Sequence, residues 1–211
     1  MIALIDYGAG NLTSVRKAFA AVGAPIRTPL DPGELREASA LVVPGVGHFG
    51  ATRSLDGAWR DAIEQRLADG ALLFGICLGM QWLFAGSTEA PDVRGLERLT
   101  GECDRLDDCG GTLKVPHVGW NALTITRPSR LLESVPDGTY VYFTHSYAAP
   151  VTRDTAATTG HGREFAAVVE SGPLMGVQFH PEKSGDAGLA ILRNFVRLAG
   201  YADTRRADRD S

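Results

Sequence analysis

The 211-residue sequence holds no long run of lysine or arginine, and its 21 basic residues are outnumbered by 25 acidic ones, for a formal net charge of -4. Nucleic acid and anionic membrane surfaces are therefore poor candidates for its main partner, because both demand a clustered positive face. No apolar stretch approaches the roughly 20 residues needed to span a bilayer. The opening Met1-Ile2-Ala3-Leu4-Ile5-Asp6 carries no basic segment of the kind that begins a signal peptide. A cytoplasmic location is expected. Cysteine is scarce: Cys77, Cys103 and Cys109 are an odd number and do not build a disulfide framework. Cys103 and Cys109 lack the paired spacing of a zinc site and read as free thiols, so neither a metal nor another cofactor is expected.

Glycine, by contrast, is plentiful at 25 residues, and two glycines frame the most informative stretch, Ala71-Leu72-Leu73-Phe74-Gly75-Ile76-Cys77-Leu78-Gly79-Met80-Gln81. The apolar run from Ala71 to Ile76 has the length of a buried strand, and Leu78 to Ala85 has helical composition. Cys77 falls on the joint. Glycines two positions before it and two after it suit a sharp strand-to-helix turn, where side chains would strike the neighbouring backbone. Such a turn projects its central side chain past the end of a sheet and sets a thiol beside unpaired N–H groups, which favours the thiolate. Cys77 is thus either a nucleophile or, like most free cysteines, a small buried apolar residue.

Upstream, Ile2 to Asp6 predicts a strand, and Leu12, Val15, Phe19 and Val22 give the next segment one apolar helical face that Gly23 ends. Gly8-Ala9-Gly10 between them is not a dinucleotide fingerprint, since Thr13 stands where a third glycine would be. Pro25 to Thr28 predicts a short strand, Asp31-Pro32 a helix start, Ala40 to Val43 a buried strand and Ala58 to Ala68 a helix. This alternation predicts the α/β class: a mostly parallel central sheet with helices on both faces, and a site beyond the carboxyl ends of its strands. Pro44-Gly45-Val46-Gly47 falls at one such end. It is either a simple turn or a loop whose backbone N–H groups hold an anionic oxygen.

Beyond Leu96 the rhythm shortens. Pieces at Leu99 to Leu106, Thr112 to Val115 and Ala122 to Thr126 predict a small antiparallel extension. Between them Pro116-His117-Val118-Gly119-Trp120-Asn121 reads as a loop whose tryptophan either packs on the domain or faces a partner. Thr139 to Phe143 predicts a strand, Thr155 to Thr159 with Glu164 to Val169 a hairpin, and Leu174 to Phe179 a last strand before a helix capped by Asp186. Residues 1–200 are expected to form one domain and residues 201–211 a polar tail.

A thiol nucleophile needs a base, and the base needs a group that holds its tautomer. His180 and Glu182 can supply both, because positions i and i+2 of an extended segment project to the same side. On Gly75-Ile76-Cys77-Leu78-Gly79-Met80-Gln81 and Gly176-Val177-Gln178-Phe179-His180-Pro181-Glu182, the sequence resembles the class I (triad) glutamine amidotransferases. Asp6-Tyr7-Gly8-Ala9-Gly10-Asn11, the Pro44 to Gly47 and Pro116 to Asn121 segments, Tyr142-Phe143-Thr144-His145-Ser146-Tyr147 and Lys183-Ser184 narrow the resemblance. They are similar to the glutaminase subunits of imidazole glycerol phosphate synthase in histidine biosynthesis.

The resemblance implies a flavodoxin-like sheet and hydrolysis of L-glutamine to glutamate and ammonia. It implies that Cys77 attacks the side-chain amide, that His180 moves protons and that Glu182 orients it. Backbone N–H groups of Val46 and Leu78 form the implied oxyanion hole, and Gly47, Gln81, Glu89, His145, Ser146 and Tyr147 the implied substrate site. The implied partner is a (β/α)8-barrel cyclase subunit in a heterodimer, faced by Gly10, Asn11, Trp120, Tyr142 and Lys183. Such glutaminases are typically quiet until the partner binds its ligand. A Pro44 to Gly47 loop whose Val46 N–H points away from the site at rest would account for that. Gly185 departs from the family pattern, in which a polar residue is common. Alternatives are a glutaminase subunit of another synthase, a non-catalytic activator subunit, and a thiol peptidase or esterase on a similar fold.

Overall fold

A computed structural model describes residues 1–201; the polar tail expected at 201–211 lies, from residue 202 on, outside the described residues. The first half forms β1 (Ile2–Leu4), α1 (Leu12–Ala21), β2 (Ile26–Arg27), β3 (Ala40–Val43), α2 (Ala58–Ala68), β4 (Leu72–Ile76) and α3 (Leu78–Gln81). Short 3-10 helices lie at Pro32–Glu37 and Phe49–Leu55. The second half is rich in strands: β5 (Asp104–Arg105), β6 (His117–Ala122), β7 (Thr124–Ile125), β8 (Tyr140–His145), β9 (Tyr147–Ala148), β10 (Thr155–His161), β11 (Arg163–Ser171) and β12 (Leu174–Val177). A 3-10 turn at Pro181–Lys183 and α4 (Gly185–Leu198) follow.

Eight strands make one sheet in the order β2-β1-β3-β4-β12-β11-β10-β7. From β2 to β12 the neighbours run parallel, and β11, β10 and β7 join antiparallel. The expected mostly parallel α/β sheet is present, and β11, β10 and β7, which include the predicted hairpin, extend it antiparallel. Two further antiparallel ribbons, β5–β9 and β6–β8, stand apart from it.

Alternate residues of the parallel strands enter two separate cores. Ile2, Leu4, Val42, Phe74, Ile76 and Val177 pack with Phe19 of α1 and Phe195 of α4, and the Phe74 and Phe195 rings stack at 4.9 Å. Burying a side chain such as Phe195 stabilises the fold by roughly 2–3 kcal/mol. Ala3, Leu41, Val43 and Leu73 point the other way and pack with Ile63 of α2. Because both faces are covered, these strands read in sequence as unbroken apolar runs.

Five local expectations are corrected. The helix predicted over Leu78 to Ala85 stops at Gln81: Leu83 and Phe84 N–H groups bond three residues back, to Met80 and Gln81. The carbonyls of Leu83, Phe84 and Ala85 then accept from residues 95–99, so tertiary hydrogen bonds replace further turns. The segment read as a loop at Pro116 to Asn121 is mostly strand β6, paired with β8 from His117↔His145 to Ala122↔Tyr140. That pairing is non-local, and no local pattern announces it. Thr112 to Val115 forms no strand, and of Leu99 to Leu106 only Asp104–Arg105 forms one, with Cys103 in an isolated bridge to Ser87. Ser184, not Asp186, is the N-cap of α4, and Asp186 sits in its first turn.

Candidate active site

The ends of β3, β4 and β12 converge. Cys77 follows β4 at φ 53 and ψ -106, a strained conformation for a residue with a side chain, costing about 1–3 kcal/mol. Its backbone is pinned on both sides, with its N–H on the Val177 carbonyl at 2.7 Å and its carbonyl accepting from Gln81 at 3.0 Å. The flanking glycines are required by close approach. A Cβ on Gly79 would come 1.9 Å from the Val43 carbonyl oxygen, and one on Gly75 2.5 Å from the Gly79 oxygen. Gly45 is equally tight, since a Cβ there would lie 2.4 Å from the Tyr7 hydroxyl.

His180 and Glu182 meet through a 2.8 Å hydrogen bond from Nδ1 to Oε1, with side chains only 1% and 3% exposed. The contact is made across the 3-10 turn at Pro181–Lys183, with His180 as its N-cap, and not along an extended segment as expected. Burial alone acts to lower the His180 pKa; the Cys77 sulfur and the Glu182 carboxylate outweigh it and carry the pKa up to about 10. The Cys77 sulfur is thus near enough to raise the ring's proton affinity, and Nε2 makes no other hydrogen bond.

A pocket of about 280 Å3 opens at this point, a volume suited to an amino acid and small by the standard of ligand sites. Gly47, Cys77, Leu78, Gln81, Glu89, His145, Ser146 and Tyr147 are among the residues that line it. Glu89 accepts the Phe49 N–H at 2.7 Å, which holds its carboxylate at the pocket rim. Gln81 uses its amide nitrogen on the Tyr147 carbonyl at 2.7 Å and on Gln178 at 3.1 Å, leaving its oxygen for a ligand. Both ring nitrogens of His145 are engaged, Nδ1 with the Tyr147 carbonyl and Nε2 with His117, so only its ring surface is left to meet a ligand. Val46 is 38% exposed and outside the pocket lining, whereas Leu78 begins α3 beside the sulfur.

Trp120, Tyr142 and Lys183 form one cluster: the first two rings sit 6.0 Å apart, and the lysine nitrogen lies 5.9 Å from the Tyr142 centroid. Gly10 and Asn11 lie at the start of α1, where Asn11 caps the helix and a Cβ on Gly10 would touch Pro44 at 3.4 Å. Pro116, Thr144 and Gln178 went unassigned at the level of sequence. Pro116 and Thr144 line the pocket. The signal for Gln178 was a polar side chain inside an apolar strand segment, a position where every amide group must find a partner. All three cysteines are free; Cys103 is fully buried, and burial pushes its pKa up.

Comparison with known proteins agrees with this geometry. The glutamine amidotransferase class-I family matches residues 3–199. The imidazole glycerol phosphate synthase subunit HisH of Methanothermobacter thermautotrophicus is 46% identical over 199 residues, covering 94% of this chain and 98% of that protein. HisH of Bacillus subtilis is 44% identical over 213 residues, covering 98% and 100%. A crystal structure of a glutamine amidotransferase superposes with a TM-score of 0.73 at 20% identity, covering 95% of this chain and all of the other, which speaks for the fold alone. A strand-end cysteine, a carboxylate-paired histidine and near-complete coverage by these relatives lead to one assignment: the chain belongs to the class-I glutamine amidotransferase family and, within it, to the HisH subunits of imidazole glycerol phosphate synthase.

Proposed function

We propose that the chain is the glutaminase half of an imidazole glycerol phosphate synthase, hydrolysing L-glutamine to glutamate and ammonia for histidine biosynthesis. The observation that carries this is the meeting of a helix-start cysteine with a buried His180–Glu182 pair at an amino-acid-sized pocket. Cys77 Sγ attacks the side-chain amide carbon, and N–H groups of Val46 and Leu78 hold the oxyanion. His180 gives a proton to the departing nitrogen, releasing ammonia and leaving a glutamyl thioester. Water then adds to the thioester carbon with His180 taking its proton, and the C–S bond breaks back to the thiolate. Glu182 fixes the imidazole by accepting from Nδ1. Glu89 faces the ammonium group of glutamine and the Ser146-Tyr147 segment its carboxylate, while Gly47, Gln81 and His145 complete the walls. Every bond change in this route is made by side chains and water.

Ammonia released into water would be protonated and lost as a nucleophile, so the product must pass directly to a docked partner. The partner is a (β/α)8-barrel cyclase subunit, which uses the ammonia to form imidazole glycerol phosphate and an aminoimidazole carboxamide ribotide. Support for the docking face comes from the β6–β8 ribbon, where Val118, Trp120 and Tyr140 are 58%, 55% and 62% exposed on the same side as Tyr142. An apolar face of this kind, continuous with a pocket wall at Thr144, suits a protein partner. Gly10, Asn11 and Lys183 extend the rim. Residues 1–200 act as one domain on this reading, because the main sheet takes strands from Ile2 to Val177 and the site draws on residues from Gly47 to Glu182. No helix among the described residues is long and apolar enough to cross a membrane; the site of action on this reading is the cytoplasm.

Glutamate release measured for the chain alone, and then with the cyclase subunit and its nucleotide ligand, tests the proposal. Negligible release alone and a steep rise with both additions is the expected outcome. Free hydrolysis that ignores the cyclase would remove the partner assignment, and full activity in Cys77→Ser would remove the mechanism.

A further inference from the structure

Gln178 stands at the end of an apolar strand and its side chain is fully buried. A buried primary amide brings two donor hydrogens and an acceptor oxygen that need partners within the protein. Here the partners come in a fixed direction. The Tyr147 backbone carbonyl can only accept, so the Gln81 group 2.7 Å from it is the NH2 end. That same nitrogen lies 3.1 Å from Gln178, which makes the near end of Gln178 its carbonyl oxygen. The NH2 end of Gln178 is thereby turned onto Cys77, with Nε2 3.5 Å from Sγ. The Gln178 backbone is pinned too, its N–H on the Ala167 carbonyl at 2.9 Å. One backbone carbonyl thus orients a chain of hydrogen bonds that ends on the reacting sulfur.

We propose that Gln178 is a catalytic residue for the thiol chemistry: its side-chain N–H donates to Cys77 Sγ, stabilising the thiolate before attack and again as it leaves the thioester, with Gln81 as its positioning residue. This rests on the assignment of Cys77 as nucleophile. A donor is worth more to an anionic acceptor than to the neutral sulfur of a thioester. The bond is therefore strong when sulfur carries the electron pair, at the beginning and end of the cycle, and weak while sulfur is acylated. Gln178 Nε2 lies 3.5 Å from the sulfur while the sulfur also raises the His180 pKa, so Gln178 acts on Sγ from beside the imidazole and not in its place.

The charged and titratable groups around Cys77 are His180 with Glu182 behind it, the buried Tyr7 hydroxyl, and Glu89 and His145 in the lining of the same pocket. All stay in place when position 178 alone is changed. The test is the rate of Cys77 alkylation by iodoacetamide against pH, read by mass spectrometry on the Cys77 peptide of the full chain. Gln178→Met keeps the shape and loses the donor; its midpoint is expected to rise by about one pH unit, the size of one hydrogen bond to a charged group. Gln178→Glu places a negative charge at the same spot and is expected to rise further. Coincident midpoints in the three proteins, each verified as folded by circular dichroism, would overturn the proposal. Should the variants not fold, the unaltered protein decides. Its Gln178 side-chain amide proton, followed by NMR, is expected to shift at the Cys77 midpoint, and a resonance that ignores that midpoint overturns the proposal. A fully active Cys77→Ser would remove the nucleophile itself, whereas an inactive Cys77→Ser with coincident midpoints removes only the role of Gln178.

Discussion

Along β3 every residue from Ala40 to Val43 is buried, while on β6 the nearly buried His117 is followed by Val118 and Trp120, both more than half exposed. The parallel strands and the β6–β8 ribbon border the same pocket with opposite construction. The parallel strands are buried on both faces, and the Pro44 to Gly47 loop, Cys77 and His180 follow their ends. The ribbon spends one face on the aromatic cluster of Phe143, Phe165 and Phe179 and leaves the other open. On the proposed function, chemistry sits on the part that is buried on both faces, and recognition on the part that is exposed on one. The two meet at His180, whose N–H donates to the Tyr142 carbonyl at 2.9 Å. Ser184 Oγ closes the clamp by accepting the Tyr142 N–H at 3.0 Å and donating to the His180 carbonyl at 2.7 Å. If the partner docks on the ribbon as proposed, pressure on the ribbon reaches His180 through these bonds.

If the division is real, damage to the buried half should abolish turnover whatever the partner does. Cys77→Ala is expected to lower glutamine hydrolysis by at least about 1,000-fold with the chain still folded, read as glutamate release with the cyclase present. Cys77→Gly should be equally inactive yet more stable by about 1 kcal/mol in denaturant unfolding, because glycine relieves the positive φ at that turn. Gly79→Ala sharpens the point from the backbone side. Its Cβ would meet the Val43 carbonyl at 1.9 Å, so a loss of roughly 4 kcal/mol or more, or failure to fold, is expected. A Gly79→Ala protein with ordinary stability would mean that the turn yields, and that the buried half is not rigid.

On the ribbon the expectation is a change of partner and not of chemistry. Trp120→Ala should weaken binding of the cyclase subunit by about 30-fold, near 2 kcal/mol, the scale of an aromatic anchor in an interface. Alkylation of Cys77 in the isolated chain should be unaltered. If Trp120→Ala instead slowed alkylation without touching affinity, the ribbon would belong to the catalytic frame, and the comparison would break.

The same contrast governs what could be read without a structure. Ala40–Val43, Ala58–Ala68 and the Cys77 turn announce themselves because their determinants lie within a few residues: an apolar run, a helical period, two glycines at fixed spacing. The His180–Glu182 pairing was legible as a pair, though its path through a 3-10 turn was not. In the ribbon β8 was legible as a strand, but β6 was misread as a loop because its strand character comes from β8, far along the chain, and its Gly119 and flanking Pro116 are signals of a turn. Gln178 escaped for a related reason. Its partners, Gln81 and Cys77, lie about 100 residues away, and only the fold brings them to it.

Two histidines carry the comparison to its smallest and most quantitative form. His145 closes the ribbon at the pocket: its Nδ1–H donates to the Tyr147 carbonyl at 2.9 Å, so its Nε2 accepts from His117 Nδ1 at 3.2 Å. Burial, chiefly, pushes its pKa down to about 3, against an ordinary 6.5. The folded protein then binds fewer protons than the unfolded chain between those values. Its contribution is complete above pH 6.5 and is lost as pH falls through that window, at up to about 1.4 kcal/mol per pH unit for one proton. His180, held by the buried half with its pKa carried up to about 10, has the opposite sign: its contribution is complete below pH 6.5 and is lost as pH rises toward 10. Denaturant midpoints measured from pH 4 to 10 should therefore flatten on the acid side in His145→Asn and on the alkaline side in Cys77→Ala, which removes a partner that raises the His180 pKa. Acid limbs that run parallel in the parent protein and His145→Asn would mean that His145 is charged when folded. Nδ1 would still donate to the Tyr147 carbonyl, but the bond to His117 would then have to be reversed, with His145 Nε2–H donating to His117 Nδ1.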